Sequence, residues 1–225
     1  KDKTTNLYWN GTGFVSGSRL WLVAAGTYPY VFNMTMALVN GRQYETAARS
    51  SDTAGNYSAS YATYTFTFDS APPTLALLEP ADSTAVYSAN YLNGTASDPA
   101  SGLLQVDVEM KRVSDGDWWN PAVSNWTPAA AAWQAGTASY WNYNFSDIMA
   151  ASMTNGATYY WTARGVDKSA PANTGAFDVY GASFTYYDTA PPGASNDLTA
   201  GPGVTPGSAA LAWTVRGDDG LGGYL

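Results

Sequence analysis

Hydrophobic and polar residues alternate with a period of two along several stretches of the chain. From Leu103 to Arg112, Leu104, Val106, Val108 and Met110 interleave with Gln105, Asp107, Glu109 and Lys111. Successive side chains of a β-strand point to opposite faces, so this pattern predicts a strand with one buried and one solvated face. Tyr61–Phe68 repeats the pattern, with Ala62, Tyr64, Phe66 and Phe68 on one face and Thr63, Thr65 and Thr67 on the other. Tyr44–Ser50, Tyr91–Ser97, Tyr159–Val166 and Ser183–Tyr187 are further predicted strands, separated by Gly, Asn, Asp and Pro. The one helix-tolerant stretch, Ala129–Gln134, is too short to propagate and is read as loop. Many short strands joined by turns predict an all-β chain of antiparallel sandwiches.

The chain also resembles itself. Asn40, Gly41, Tyr44, Ala48, Arg49 and Asp52 recur as Asn155, Gly156, Tyr159, Ala163, Arg164 and Asp167, each 115 positions later (159 − 44). Upstream, Tyr8-Trp9-Asn10 matches Trp118-Trp119-Asn120 at an offset of 110 (119 − 9). Downstream, the segment Phe66–Pro73 matches Thr185–Pro192 at an offset of 119 (188 − 69). An offset that grows along the chain means short insertions between matched strands, hence a tandem duplication with a unit of roughly 115–120 residues, the size of one sandwich. The Asp-x-Ala-Pro-Pro segments fall at the predicted boundaries, because consecutive prolines lack ladder donors and prefer extended geometry. The predicted division is the C-terminal part of one sandwich over 1–70, a complete one over 71–190, and the N-terminal part of a third over 191–225. In both copies an apolar residue, Leu38 or Met153, stands six positions before Tyr44 or Tyr159 with Asn-Gly between. That spacing predicts a tyrosine corner, in which the buried ring returns its hydroxyl to upstream backbone.

Composition narrows the chemistry. With no His and no Cys among 225 residues, the chain can build neither a His-dependent nucleophile, nor an ordinary zinc site, nor a disulfide. Ten Lys and Arg against 18 Asp and Glu leave a net charge of −8, which disfavours nucleic acid. No apolar run is long enough for a membrane span, and the first residues, Lys1-Asp2-Lys3-Thr4-Thr5, lack the core of a signal peptide. Paired carboxylates are then the remaining catalytic route. Glu45 and Glu109 are expected on solvated strand faces, Glu79 precedes a proline, and Asp115-Gly116-Asp117 reads as a loop tip, so no catalytic residue is predicted.

Residues 71–190 resemble the bacterial immunoglobulin-like repeats of large surface and secreted proteins. The resemblance rests on Pro72-Pro73, Pro80-Ala81-Asp82, the segment Gly94–Asp98, Ser101-Gly102, the Trp cluster and Tyr159…Ala163-Arg164…Asp167. Residues 8–69 look like the latter half of a sister repeat, with the turn Asp52-Thr53-Ala54-Gly55-Asn56. Residues 191–225 are similar to the opening of a fibronectin type III domain, with Trp213 facing inward from a strand over Ala209–Thr214. The resemblance implies an extracellular or cell-surface location and a non-catalytic structural role: stalk, adhesin shaft or filament subunit, partnered by neighbouring domains or by copies of itself. The alternative is a carbohydrate-associated spacer or binding module of a secreted polysaccharide-acting enzyme.

Three sets of residues are candidates for recognition or modification. Trp118, Trp119, Trp126 and Trp133, with Trp141 nearby, are candidate glycan platforms, since sugar faces stack on aromatic rings; the competing expectation is that they pack the insertion against the sandwich. Asn10, Asn33, Asn56, Asn93, Asn125 and Asn144 head Asn-x-Ser/Thr sequons and are candidate N-glycosylation sites. Asp52, Asp69, Asp82, Asp98, Asp167, Asp188, Asp218 and Asp219 fall at turns and junctions where carboxylates can bind Ca²⁺. No Asp-x-Asp-x-Asp-Gly loop occurs and Asp favours turns for its own reasons, so no metal or cofactor is assigned from sequence. The incomplete outer units predict either a piece of a longer polypeptide or head-to-tail completion by neighbouring subunits, the latter burying Leu211 and Trp213.

Overall fold

The computed structural model describes residues 1–24, 35–87, 91–144, 151–177, 181–187 and 194–214. Their regular structure is all β, as the alternation predicts. The N-terminal part holds two hairpins: β1 (Tyr8–Trp9) with β2 (Phe14–Ser16), and β3 (Gln43–Ala48) with β4 (Ala62–Thr67). Ten strands follow: β5 (Thr74–Glu79), β6 (Thr84–Val86), β7 (Tyr91–Ser97), β8 (Leu103–Arg112), β9 (Trp118–Asn120), β10 (Asn125–Thr127), β11 (Trp133–Gly136), β12 (Tyr140–Asn144), β13 (Thr158–Asp167) and β14 (Ala182–Tyr186). The last described pair is β15 (Thr199–Pro202) with β16 (Ala209–Ala212).

The ten central strands form two sheets. One runs β10-β9-β8-β13-β14-β6, with β11 also on β8, and the other β12-β7-β5. Their inner faces meet in a single core: Val106, Val108, Met110, Tyr159, Trp161 and Phe184 from the larger sheet, Leu92, Ala96 and Trp141 from the smaller. Trp141 and Trp161 span the sheets edge to face, with centroids 6.1 Å apart, and the Trp161 indole donates to the Pro80 carbonyl at 3.2 Å. Gly94 is required opposite Trp141: a β-carbon there would lie 2.7 Å from the indole and collide with the Ala76 carbonyl oxygen.

Several expectations are corrected. Glu109 and Asp107, placed by alternation on a solvated face, are only 9% and 7% exposed. The reason is position: β8 is an interior strand walled by β13 on one side and by β9 and β11 on the other. Leu104, expected inside, is exposed because the β8–β13 register skips it between Gln105 and Leu103. Tyr64, assigned to the same face as Phe66, is exposed too. The stretch read as loop through Gln134 instead starts β11 at Trp133, paired to Val108. Trp213 does not face inward: it is 55% exposed, and Leu211 likewise, because no second sheet covers β15–β16 among the described residues.

The duplication reaches into the hydrogen bonds. Tyr44 pairs with Phe66 across β3–β4 as Tyr159 pairs with Phe184 across β13–β14. Gly41 and Gly156, with φ of 76° and 75°, donate to Phe68 and Tyr186 carbonyls at 2.8 Å in both cases. These pairings fix the hairpin offset at 118 (184 − 66), so the offset of 119 read from the Asp-x-Ala-Pro-Pro segments is one too many within the strand.

Candidate functional site

The tryptophans were the boldest candidates for ligand contact. Trp119, Trp126 and Trp133, with Trp141, are buried in the core, and their faces are taken by other rings. Trp119 meets Trp126 edge on at 5.5 Å, Trp126 lies against Tyr159 at 5.3 Å, and Tyr159 stacks on Phe184 at 5.7 Å. This four-ring row has a twin in the first copy. Trp9, Phe14, Tyr44 and Phe66 follow at 5.3, 5.1 and 5.8 Å with closely similar interplanar angles. Buried rings with no free face cannot serve as a sugar platform, so only Trp118 of the predicted set keeps an accessible edge, under Lys111. Both tyrosine hydroxyls accept a backbone N–H five residues upstream: Val39 to Tyr44 at 2.9 Å and Thr154 to Tyr159 at 2.8 Å.

The sequon asparagines fare differently from one another. Asn93 is 3% exposed, and its amide donates to Glu79 at 3.2 Å, which leaves no room for a glycan. Asn10, Asn56, Asn125 and Asn144 are exposed, though Asn10 and Asn125 hold backbone amides with their side-chain oxygens and Asn56 donates to Asp52. Asn33 lies outside the described residues.

What sequence reasoning did not foresee is the convergence of three aspartates. Asp69 follows β4 just ahead of the diproline, Asp98 opens the loop after β7, and Asp167 ends β13. One carboxylate oxygen from each lies within 4.8 Å of the others. Asp69 and Asp98 are each held by one oxygen, whereas Asp167 is held by both, its Oδ2 accepting the Asn173 side-chain amide at 2.7 Å. Asp69 Oδ1 accepts the Ala71 amide, Asp98 Oδ1 accepts those of Ala100, Ser101 and Gly102, and Asp167 Oδ1 accepts those of Ser169 and Asn173. Asp69 Oδ2 is shut off from solvent and has no hydrogen-bond partner. None of the three forms an ion pair among the described residues. Two like charges at this spacing repel by about 3–4 kcal/mol at an effective dielectric of about 20, so the arrangement favours a counter-charge. Burial opposes ionisation of Asp167, yet the hydrogen bonds from Ser169 and Asn173 outweigh it and hold the carboxyl below its ordinary range.

The linker is fitted to this corner. Pro73 lies so near Gly165 that a β-carbon there would come within 2.7 Å of the ring, and Pro72 borders Gly175. The sequence signal for the site was available only in part. Asp167 and Asp52 are equivalent positions that organise equivalent loops, but Asp98 has no counterpart among the described residues of the first copy. Asp52 accordingly caps an exposed turn, and Asp82 ties the start of β6 to Ser183. Asp188, Asp218 and Asp219 lie outside the described residues.

The carboxylates weighed for catalysis sit in separate places. Glu45 pairs with Arg19 at 3.0 Å, Glu79 accepts from Asn93, and Asp115 pairs with Arg112 in the β8–β9 turn. Asp107 is bonded to Arg164 at 3.1 Å, while desolvation raises the pKa of neighbouring Glu109 against the pull of Arg164. No protein-family model matches the chain, and no curated protein is significantly similar to it.

Proposed function

We propose that the chain is a non-catalytic structural module of a long extracellular or cell-surface protein, built from tandem immunoglobulin-like sandwiches with a fibronectin III-like unit beginning near residue 191. The observation that supports this reading is the duplicated four-ring row with its matching tyrosine hydroxyl bond. The most distinctive side chains of each copy are engaged in ring-to-ring packing, which is what a repeat under tension requires and a ligand platform does not. The Pro72-Pro73 connection, fitted against the sandwich that follows it, limits bending between neighbours, so stacked copies would project a distal tip or build a fibre.

The test is mechanical. Pulling the chain between its ends by single-molecule force spectroscopy is expected to give a discrete unfolding event for the central sandwich. About 120 residues at roughly 3.3–3.6 Å each should release a contour length near 40 nm. A featureless extension, or glycan-array binding that is abolished by Trp118→Ala, would overturn the structural reading in favour of a carbohydrate-associated module.

A further inference from the structure

We propose that Asn10 is a self-modification site: in the folded chain the Asn10-Gly11 pair of the first hairpin closes to a succinimide, which water converts to aspartate and isoaspartate. Four Asn-Gly pairs occur in the sequence, at Asn10, Asn40, Asn93 and Asn155. The reaction needs a backbone nitrogen free to attack and a side-chain carbonyl prepared to receive it. The fold withholds the nitrogen at three of the four pairs. The Gly41 amide donates to the Phe68 carbonyl and the Gly156 amide to that of Tyr186, both at 2.8 Å. Gly94 lies inside β7, between β5 and β12, and Asn93 beside it is buried. Gly11 is different. It stands in the exposed turn between β1 and β2 with φ of 104°, and its amide has no hydrogen-bond acceptor among the described residues.

The electrophile is prepared in the same turn. Asn10 Oδ1 accepts three hydrogen bonds, from the Thr12 amide, the Thr12 hydroxyl and the Gly13 amide, each at 3.0 Å. Donors grouped on a carbonyl oxygen stabilise the negative charge that it gains when a nucleophile adds. Asn40 Oδ1 is polarised too, by the Ser70 amide at 2.7 Å, so these two pairs differ chiefly in the attacking nitrogen. In the step itself the Gly11 nitrogen gives its proton to hydroxide and bonds to Asn10 Cγ, and the charge passes to Oδ1. Collapse of that oxyanion breaks the Cγ–Nδ2 bond, and Nδ2 leaves as ammonia with a proton taken from water. Water then opens the imide. Addition at Cγ leaves an ordinary aspartyl chain, whereas addition at the main-chain carbonyl routes the backbone through the side chain as isoaspartate.

The position couples this chemistry to the fold. Trp9 and Phe14 flank the turn and open the aromatic row of the first copy, with ring centroids 5.3 Å apart. Isoaspartate adds one carbon to the backbone of the turn, so it displaces β1 against β2 and loosens that contact. Asn10 also heads the sequon Asn10-Gly11-Thr12, and loss of Nδ2 removes the atom a glycan would use, so the two modifications exclude each other.

Peptide mapping by mass spectrometry tests the site, on the full chain made in a host without N-glycosylation and aged at mildly alkaline pH. In the folded chain Asn10 should lose its amide about tenfold faster than Asn40, Asn93 and Asn155, because a hydrogen bond worth about a factor of ten holds each competing nitrogen. In the urea-unfolded chain the four rates should converge to within a few-fold, which assigns the difference to the fold and not to flanking residues. Thr12→Val keeps both backbone donors and removes the hydroxyl, so it should slow Asn10 about threefold or more and leave Asn40 unchanged. An Asn10 no faster than Asn40 and Asn155 in the folded chain overturns the site, and an unchanged rate in the Thr12→Val chain overturns the part given to the hydroxyl. Cross-relaxation between the Trp9 and Phe14 rings, measured by NMR on the isolated isoaspartyl form, reads the consequence. Weakened cross-relaxation is expected; the same intensity as in the unmodified chain keeps the modification and removes its coupling to the aromatic row.

Discussion

Two copies of one aromatic row sit about a hundred residues apart in this chain and end in different surroundings. Trp119, Trp126, Tyr159 and Phe184 are all buried, in one core with Leu92, Ala96 and Trp141 of the β12-β7-β5 sheet. In the row of Trp9, Phe14, Tyr44 and Phe66, Tyr44 alone is fully buried and the others are half-buried. The ring spacings differ between copies by at most 0.2 Å, as 5.3 and 5.1 Å in one correspond to 5.5 and 5.3 Å in the other. The row is therefore specified by the two hairpins that present it, and burial by a second layer that the hairpins do not supply. Outside its row, where that layer is absent among the described residues, the first copy also sets guanidinium groups against other aromatic rings. Arg49 lies 4.3 Å from the Trp21 ring and 3.9 Å from that of Tyr57, and Arg19 lies 4.5 Å from that of Tyr61. Guanidinium planes cover aromatic faces while staying hydrated, which makes them suited to a half-open core.

The comparison is broken most directly by deleting equivalent rings. Phe184→Ala should cost about 3–5 kcal/mol, because a fully enclosed ring leaves a cavity that its neighbours cannot fill. Phe66→Ala, in a row open to water, should cost about 1–2 kcal/mol, since the removed area was only partly withdrawn from solvent. Urea unfolding followed by tryptophan fluorescence reads both. Equal costs would mean that the first copy possesses a covering layer in solution.

The tyrosine hydroxyls sharpen the same point from the opposite side. Tyr44→Phe and Tyr159→Phe each leave one backbone N–H, of Val39 or Thr154, without its acceptor, at a cost of about 1–3 kcal/mol. The bond is local and has the same length within 0.1 Å in both copies, so the two costs should agree within about 1 kcal/mol despite unequal burial of the rows. Amide exchange at Val39 and Thr154 checks this residue by residue. A fast-exchanging amide at either position in the unsubstituted chain would remove that bond from the account.

Much of this was legible in the sequence, for identifiable reasons. Period-two alternation located β8 to the residue, because it is a long strand with an apolar inner face, and the turn residues on either side bounded β7. The recurrence of Asn-Gly and Tyr located the two matching hairpins, since a glycine at positive φ and a buried hydroxyl each tolerate few substitutes. Strands β9 to β12 were missed because their inward residues are tryptophans spaced by Asn, Ser and Ala, a composition that reads equally as a binding loop. The burial of Asp107 and Glu109 was invisible because alternation reports which face a residue lies on and says nothing of what covers that face. The aspartate trio was hidden for a similar reason: its members stand 29 and 69 positions apart (98 − 69 and 167 − 98), and only the closure of the sandwich joins them.

Glu109 supplies the smallest effect and the finest test of how β8 differs from an ordinary solvated strand. Its side chain lies on the outer face opposite Thr162, whose buried hydroxyl has no partner, and beside the Asp107–Arg164 pair. Desolvation raises its folded-state pKa, and the attraction of Arg164 only partly opposes that rise. A carboxyl whose pKa is higher in the folded than in the unfolded chain binds its proton more tightly when folded. Stability is then undiminished below the unfolded value, near 4.3, falls as pH rises toward the folded value, and stays lower above it. Glu109→Gln removes the ionisation while keeping the shape, so it should stabilise the chain at pH 7 by at most about 1 kcal/mol, and the gain should vanish below about pH 4. Thermal melts of both chains across that range measure it. A Gln variant that is less stable at neutral pH would show that the Glu109 carboxylate is held by Arg164 more strongly than burial penalises it, and that the outer face of β8 is an ion-pair network rather than a covered surface.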